Sequence, residues 1–174
     1  MGQDKQALQR ISVRKKDLEK VVQEIISRVK GPLFRGLGQK AQKDYESKGV
    51  LMPYCGSLGV GEGVFFTSDL CYALSFMKGI LVISSREKLD GQGKAIDTRE
   101  KAYETEAREK LDMELGAGNY DGWRLWGEIQ KSDTITYEGG PQDSYVYSRR
   151  EPVTKGELLA EIRILEEHDP LGQM

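Results

Sequence analysis

Gly63-Val64-Phe65-Phe66-Thr67-Ser68-Asp69-Leu70-Cys71-Tyr72-Ala73-Leu74-Ser75-Phe76-Met77 is the stretch on which the reading of this chain turns. A glycine followed by three apolar residues, two of them aromatic, reads as a short strand. Thr67-Ser68 supplies turn hydroxyls, with Ser68 the expected N-cap, and residues 69–77 read as a compact helix. Residues 80–83 (Ile-Leu-Val-Ile) are a second apolar run of strand length, so a strand, a helix and a strand occupy about 20 residues.

Outward from this unit the pattern repeats in short pieces. Upstream, Leu33-Phe34 and Val50-Leu51-Met52 read as strands between glycines; downstream, residues 134–137, 144–148 and 158–165 do the same. Ala102, Tyr103, Ala107, Leu111 and Leu115 fall on a helical period within residues 97–115, while Trp123, Leu125, Trp126 and Ile129 suggest a short buried segment. Residues 116–122 and 138–143 are loops by composition. At the front, Leu8, Ile11, Leu18, Val21, Val22, Ile25, Ile26 and Val29 recur at spacings of three and four, which predicts one amphipathic helix from Gln6 to Lys30, stopped by Gly31-Pro32. The expected organisation is an N-terminal amphipathic helix over residues 1–31 and a single α+β domain over residues 32–174.

Composition removes several classes of function. With 174 residues, 38% apolar and 31% charged side chains and a formal net charge of −2, the chain suits a globular domain and demands no nucleic-acid surface. No apolar run approaches the roughly 18 residues of a membrane span, and MGQDKQALQR has no signal-peptide character, so no membrane partner and a cytoplasmic setting are expected. One histidine, His168, and two cysteines, Cys55 and Cys71, are too few for a Cys/His zinc site or a disulfide framework, and no metal is expected. A Ser-His-Asp hydrolase is disfavoured because the one histidine, His168, lies close to the C-terminus, where a well-fixed backbone is not expected.

Eight of the 20 glycines fall between Gly31 and Gly63. Gly59-Val60-Gly61-Glu62-Gly63 fits neither G-x-G-x-x-G nor a P-loop, and it precedes a strand where both of those open a helix. Cys55-Gly56-Ser57-Leu58-Gly59 lacks the first glycine of an esterase turn. What survives is Arg35-Gly36 at a strand end, a cation for phosphate beside backbone that a flat amide can approach. Phe65 and Phe76, eleven residues apart across a strand end and a helix, can then wall a cleft for a planar heterocycle. Taken singly, each aromatic also suits a core; the order of the elements carries the reading.

That order, Arg35-Gly36, then Gly61-x-Gly63-Val64-Phe65-Phe66, then Ala73-x-x-Phe76, an apolar strand, and Ser144-Tyr145-Val146-Tyr147 before a closing strand, resembles the ADP-ribosyltransferase superfamily. The nearest pattern is the poly(ADP-ribose) polymerase and diphtheria-toxin branch, over residues 33–165. The resemblance implies a split, mainly antiparallel β-core with peripheral helices, and NAD as the substrate. It makes Gly36 the backbone partner of the nicotinamide carboxamide and Phe65 and Phe76 the ring walls, with Tyr72 beside them. Arg35 stands where that branch has histidine; it resembles the Arg-Ser-Glu branch, in which the arginine contacts the NAD phosphates and a Ser/Thr strand, here Thr67-Ser68, supports the pocket.

The family glutamate is absent. Aligning Tyr145 with the family tyrosine places Ser144 where that carboxylate stands and Gln142 two positions earlier, in the acceptor-recognition loop. Departure of nicotinamide develops oxocarbenium character at the ribose, which a carboxylate stabilises. Asp143 is adjacent and can take that role, with Glu138 and Glu151 as weaker candidates. The implied activity is mono-ADP-ribosyl transfer from NAD to a macromolecular acceptor, protein in preference to nucleic acid, in the manner of a toxin or effector acting in a host cell. The alternative is an ADP-ribosyltransferase-like binding or effector protein without chemistry.

Overall fold

The structure, a computed structural model, describes residues 8–56, 61–90, 95–131, 136–140 and 145–165. The strands are β1 Gln9–Arg14, β2 Pro32–Leu37, β3 Val50–Leu51, β4 Tyr54–Gly56, β5 Gly61–Thr67, β6 Ile80–Ser85, β7 Ala95–Asp97, β8 Thr136–Glu138, β9 Val146–Arg149, β10 Val153–Thr154 and β11 Ala160–Leu165. The helices are α1 Leu18–Ile26, α2 Gln39–Lys48, α3 Leu70–Phe76, α4 Arg86–Asp90, α5 Lys101–Leu115 and α6 Gly122–Ile129. Among the described residues nine strands form one sheet in the order β1-β11-β6-β2-β5-β9-β8-β7, with β4 added to β5, and β3 and β10 pair separately. Among the described strands β1/β11 and β7/β8 alone are parallel, so the domain is mixed α+β with a mostly antiparallel sheet. Among the described residues no helix is long and apolar enough to cross a membrane.

Alternation along the central strands builds a core on each face of the sheet. Leu33 and Leu37 of β2, Ile80 and Val82 of β6, and Val64 and Phe66 of β5 share one cluster with Tyr45 of α2, Leu89 of α4 and Tyr147. Phe34, Leu81 and Ile83 turn to the other face, against Leu18 and Val22 of α1 and Ala73 of α3. Helices thus cover both sides of the sheet.

The N-terminal segment is not one helix. Residues 9–14 form β1, in parallel register with β11 from Gln9↔Ala160 to Arg14↔Leu165, and a 3-10 turn, Lys15–Asp17, leads into α1. Ile11 and Val13 satisfy both a helical spacing and a strict alternation with Arg10, Ser12 and Arg14. The free edge of β11 decides for the strand, and both residues join the same core as α1. Helix α3 is capped by Asp69, whose side chain accepts from the Tyr72 N–H at 3.2 Å, and not by Ser68. Helix α5 begins at Lys101, just before its first periodic residue, Ala102, and not at residue 97, which ends β7.

Three carboxylates tie the core together. The Tyr45 hydroxyl and Arg163 Nε both donate to Glu161, at 2.6 and 2.7 Å, Arg149 forks onto Glu157, and Lys110 and Lys131 both reach Glu128. Burial pushes each carboxyl up, but the hydrogen bonds and cations outweigh it and hold all three below the ordinary glutamate value. A depressed folded-state pKa contributes stability that is present above about 4.5, the unfolded value, and is lost as pH falls through the folded value. Urea midpoints are therefore expected to drop steeply between about pH 5 and pH 3. Glu161→Gln is expected to flatten that slope, and an unchanged slope would count against the Glu161 assignment.

Candidate functional site

β2 pairs with β6 along residues 32–37, but with β5 at Phe34↔Thr67 alone. The two strands part beyond that pair, and Arg35 occupies the parting. Lying between Leu33 and Leu37 on one face of β2, its side chain reaches across so that Nη1 donates to the Phe65 carbonyl at 2.9 Å. Its Nε is buried with no partner among the described residues. Burial lowers the guanidinium to about 10, against an opposing pull from Tyr54, so it stays charged at neutral pH. The Tyr54 hydroxyl donates to Asp44 of α2, and Lys40 lies 5.0 Å from the Tyr54 ring centre. Burial and Asp44 raise Tyr54 to about 12, with Arg35 opposing. Arg35, Tyr54, Asp44 and Lys40 are thus one polar group between the sheet and α2.

Gly36 faces the other way. A β-carbon there would stand 2.0 Å from the Ala73 carbonyl oxygen and 2.9 Å from the Met77 β-carbon. The α-carbon of Gly36 therefore packs on the α3 backbone, and any contact it makes with a ligand amide has to come from its own peptide groups.

Phe65, on the opposite face of β5 from Val64 and Phe66, begins a row of rings. Its centroid is 5.7 Å from that of Trp126, which is 6.0 Å edge-on from Trp123; Trp123 lies near-parallel to Tyr72 at 5.9 Å, and Tyr72 meets Phe76 edge-on at 4.9 Å. The row is graded in exposure: Trp126 is 2% exposed, Tyr72 40% and Phe76 55%. Phe65 and Phe76 thus stand at the two ends of one aromatic wall, joined through two tryptophans of α6 that no motif had singled out.

Thr67 and Ser68 hold the junction between β5, α3 and β9. Thr67 Oγ1 accepts from the Asp69 N–H at 3.0 Å. Ser68 is bound twice to Tyr145, its N–H donating to the carbonyl at 2.9 Å and its Oγ accepting from the Tyr145 N–H at 3.0 Å. Gln142, Asp143 and Ser144 lie outside the described residues; the described residues on either side of them are hydrogen-bonded. The Gly139 carbonyl accepts from Val146 N–H at 2.9 Å, and Thr98 donates through N–H and Oγ1 to the Glu138 carbonyl. The Glu138 carboxylate is forked by Arg86 at 2.7 and 2.8 Å. Arg86 and Arg99 stand 4.3 and 4.0 Å from the Tyr145 ring centre. As a weaker candidate for the reacting carboxylate, Glu138 is already committed to an arginine, and Glu151 is exposed beyond the end of β9.

The arrangement brings Phe65, Tyr72 and Phe76 together on one face of the sheet, ties Ser68 to Tyr145, and turns Arg35 to the other face, towards α2, so the expected cleft is not lined by Arg35 and the rings side by side. A groove of about 640 Å³ lies elsewhere, between α1 and the ends of β6 and β11, lined by Glu24, Arg28, Lys30 and Glu87 among others. Among the described residues no three His, Cys, Asp or Glu side chains cluster as a metal site. Comparison with family models, curated proteins and solved structures returns no match.

Proposed function

We propose that this chain is an NAD-dependent mono-ADP-ribosyltransferase. The observation that carries the reading is the parting of β2 and β5 beyond Phe34, with Arg35 in the gap and Tyr145, two residues after Asp143 in the sequence, bound to Ser68 just before α3. Arg35, charged at neutral pH and lying on the face opposite the aromatic row, serves a diphosphate through the gap between β2 and β5. The aromatic row takes the nicotinamide, Phe76 at its open end, and the Gly36 peptide meets the carboxamide. In the reaction the bond between the ribose anomeric carbon and the pyridinium nitrogen breaks, and its electron pair neutralises the departing nicotinamide. Asp143 faces the oxocarbenium character left on the ribose, and a nucleophile of the macromolecular acceptor, a protein side chain in preference to a nucleic acid, closes on that carbon and loses its proton.

A second reading, an ADP-ribosyltransferase-like binding or effector/inhibitor protein without chemistry, is favoured by Ser144 at the family glutamate position and by the commitment of Glu138 to Arg86. Incubation with NAD separates the two. The transferase releases nicotinamide above buffer when a cell extract supplies acceptors; the protein without chemistry releases none. Asp143→Asn is expected to lower release by about 100-fold with NAD binding retained, since one positioned group stabilising developing charge is typically worth 10²–10³ in rate. Unchanged release in that variant would remove Asp143 from the mechanism.

A further inference from the structure

The geometry points to Trp126 as the residue that selects a carboxamide: its indole Nε1–H is the buried donor to the carboxamide oxygen of a nicotinamide ring seated along the Phe65–Phe76 row. This deepens the reading above and rests on it for the choice of ligand. Trp126 is 2% exposed and its Nε1 is buried without a hydrogen-bond partner among the described residues. Buried side-chain donors in folded proteins are paired in the large majority, because an unmade bond forfeits the hydration given up on burial. An orphaned indole N–H at the closed end of a ring-lined wall is therefore an unfilled donor, and the ring wall says what shape would fill it. A flat heterocycle seated against the half-exposed Tyr72 and Phe76 lies on the same row of ring contacts that leads to Trp126, and an acceptor carried on its ring would fill the indole donor. A carboxamide oxygen is such an acceptor on such a ring.

Helix α6 holds this donor still. Asp121 caps its first turn through the Arg124 N–H at 2.8 Å, Glu128 is pinned by Lys110 and Lys131 at 2.9 and 3.0 Å, and Gln130 at its end accepts from Ser148 of β9 at 2.5 Å. Ser148 is the strand partner of Phe65. The indole and the Phe65 ring are consequently fixed to the same pair of strands.

Both tryptophans of the chain lie in α6, so intrinsic fluorescence and two indole N–H resonances report this wall and nothing else. The full chain is titrated with nicotinamide and with 3-methylpyridine, which keeps the ring and lacks the acceptor. Nicotinamide is expected to bind about tenfold tighter, the value of one neutral hydrogen bond at 1.4 kcal/mol per decade, and to move the Trp126 indole resonance downfield, with Trp123→Phe providing the assignment. Trp126→Phe keeps an aromatic ring and is expected to abolish the preference while still binding 3-methylpyridine. Absence of nicotinamide binding, an unmoved Trp126 resonance on binding, or an undiminished preference in Trp126→Phe would each overturn the assignment; the resonance shift needs no core variant to fold. A Trp126-dependent preference without nicotinamide release from NAD would leave the assignment standing and sink the transferase reading.

Discussion

Gly36→Ala is expected to unfold at markedly lower urea concentration than the parent chain, with a loss of about 3 kcal/mol, at the upper end of overpacking costs. The added β-carbon would fall 2.0 Å from the Ala73 carbonyl oxygen and 2.9 Å from the Met77 β-carbon. The first neighbour is helix backbone, which cannot rotate aside as a side chain can, so the variant must push α3 off β2. Two costs follow together. Ala73, 2% exposed, loses its seat against Phe34 and Ile83 in the core on that face, and the Tyr72–Phe76 edge of the ring wall moves with the helix that carries it. NAD or nicotinamide affinity is therefore expected to fall in the same variant. Gly38→Ala is the control, since its β-carbon would meet only the Phe76 carbonyl oxygen at 3.8 Å and its backbone is extended; as the N-cap of α2 it is expected to lose no more than about 1 kcal/mol, the difference between a glycine and an alanine cap. Equal stability of the two variants would show that α3 does not lie on Gly36 in solution.

The same glycine shows how much of the site was legible in the sequence. Its place beside Arg35 at a strand end was readable, and so was the strand, turn and helix of residues 63–77. The direction of its face was also within reach: Leu33, Arg35 and Leu37 share one parity along β2, as Val64 and Phe66 do along β5, which sets Arg35 opposite the Phe65 ring. Reading the motif as a set of contacts obscured that alternation. Helix α2, Gln-Lys-Ala-Gln-Lys-Asp-Tyr-Glu-Ser-Lys, left no amphipathic stripe to find, because Tyr45 is its one buried residue; tertiary packing around a single ring holds it. β1 was misread because an edge strand with two apolar residues and a helix with the same two look alike until the neighbouring edge is known. The aromatic wall was half legible. Trp123 and Trp126 stood out as a buried segment, but nothing in their spacing says that α6 lies against β5, since that contact is set by Gln130, Ser148 and the Phe65 register far away in the chain.

Arg86→Met should cost about 2–3 kcal/mol, because it strands a carboxylate. Glu138 is 6% exposed and both its oxygens are held by the Arg86 fork. Removing one partner of a buried pair costs about 3–5 kcal/mol when both groups are dry; the lower figure applies here because the Arg86 side chain is 44% exposed and partly screened. Cation–π contact with the Tyr145 ring, at 4.3 Å, contributes roughly 0.5–1 kcal/mol of the loss. A double-mutant cycle isolates the charge pair: Arg86→Met combined with Glu138→Gln is expected to be more stable than Arg86→Met alone, since the amide leaves no unpaired charge. Gly139→Ala reports the same place without touching charge. With φ at +115° and a β-carbon 2.4 Å from Thr98 Oγ1, an alanine there is strained in its backbone and crowded. Glu138 and Gly139 form the base of the loop that carries Gln142 and Asp143, and Tyr145 ends it against Ser68. If that loop supplies the carboxylate, Arg86→Met and Gly139→Ala should both lower nicotinamide release at temperatures where each is fully folded. Independent stability changes with no coupling in the cycle, or full release from both variants, would separate the loop base from the chemistry.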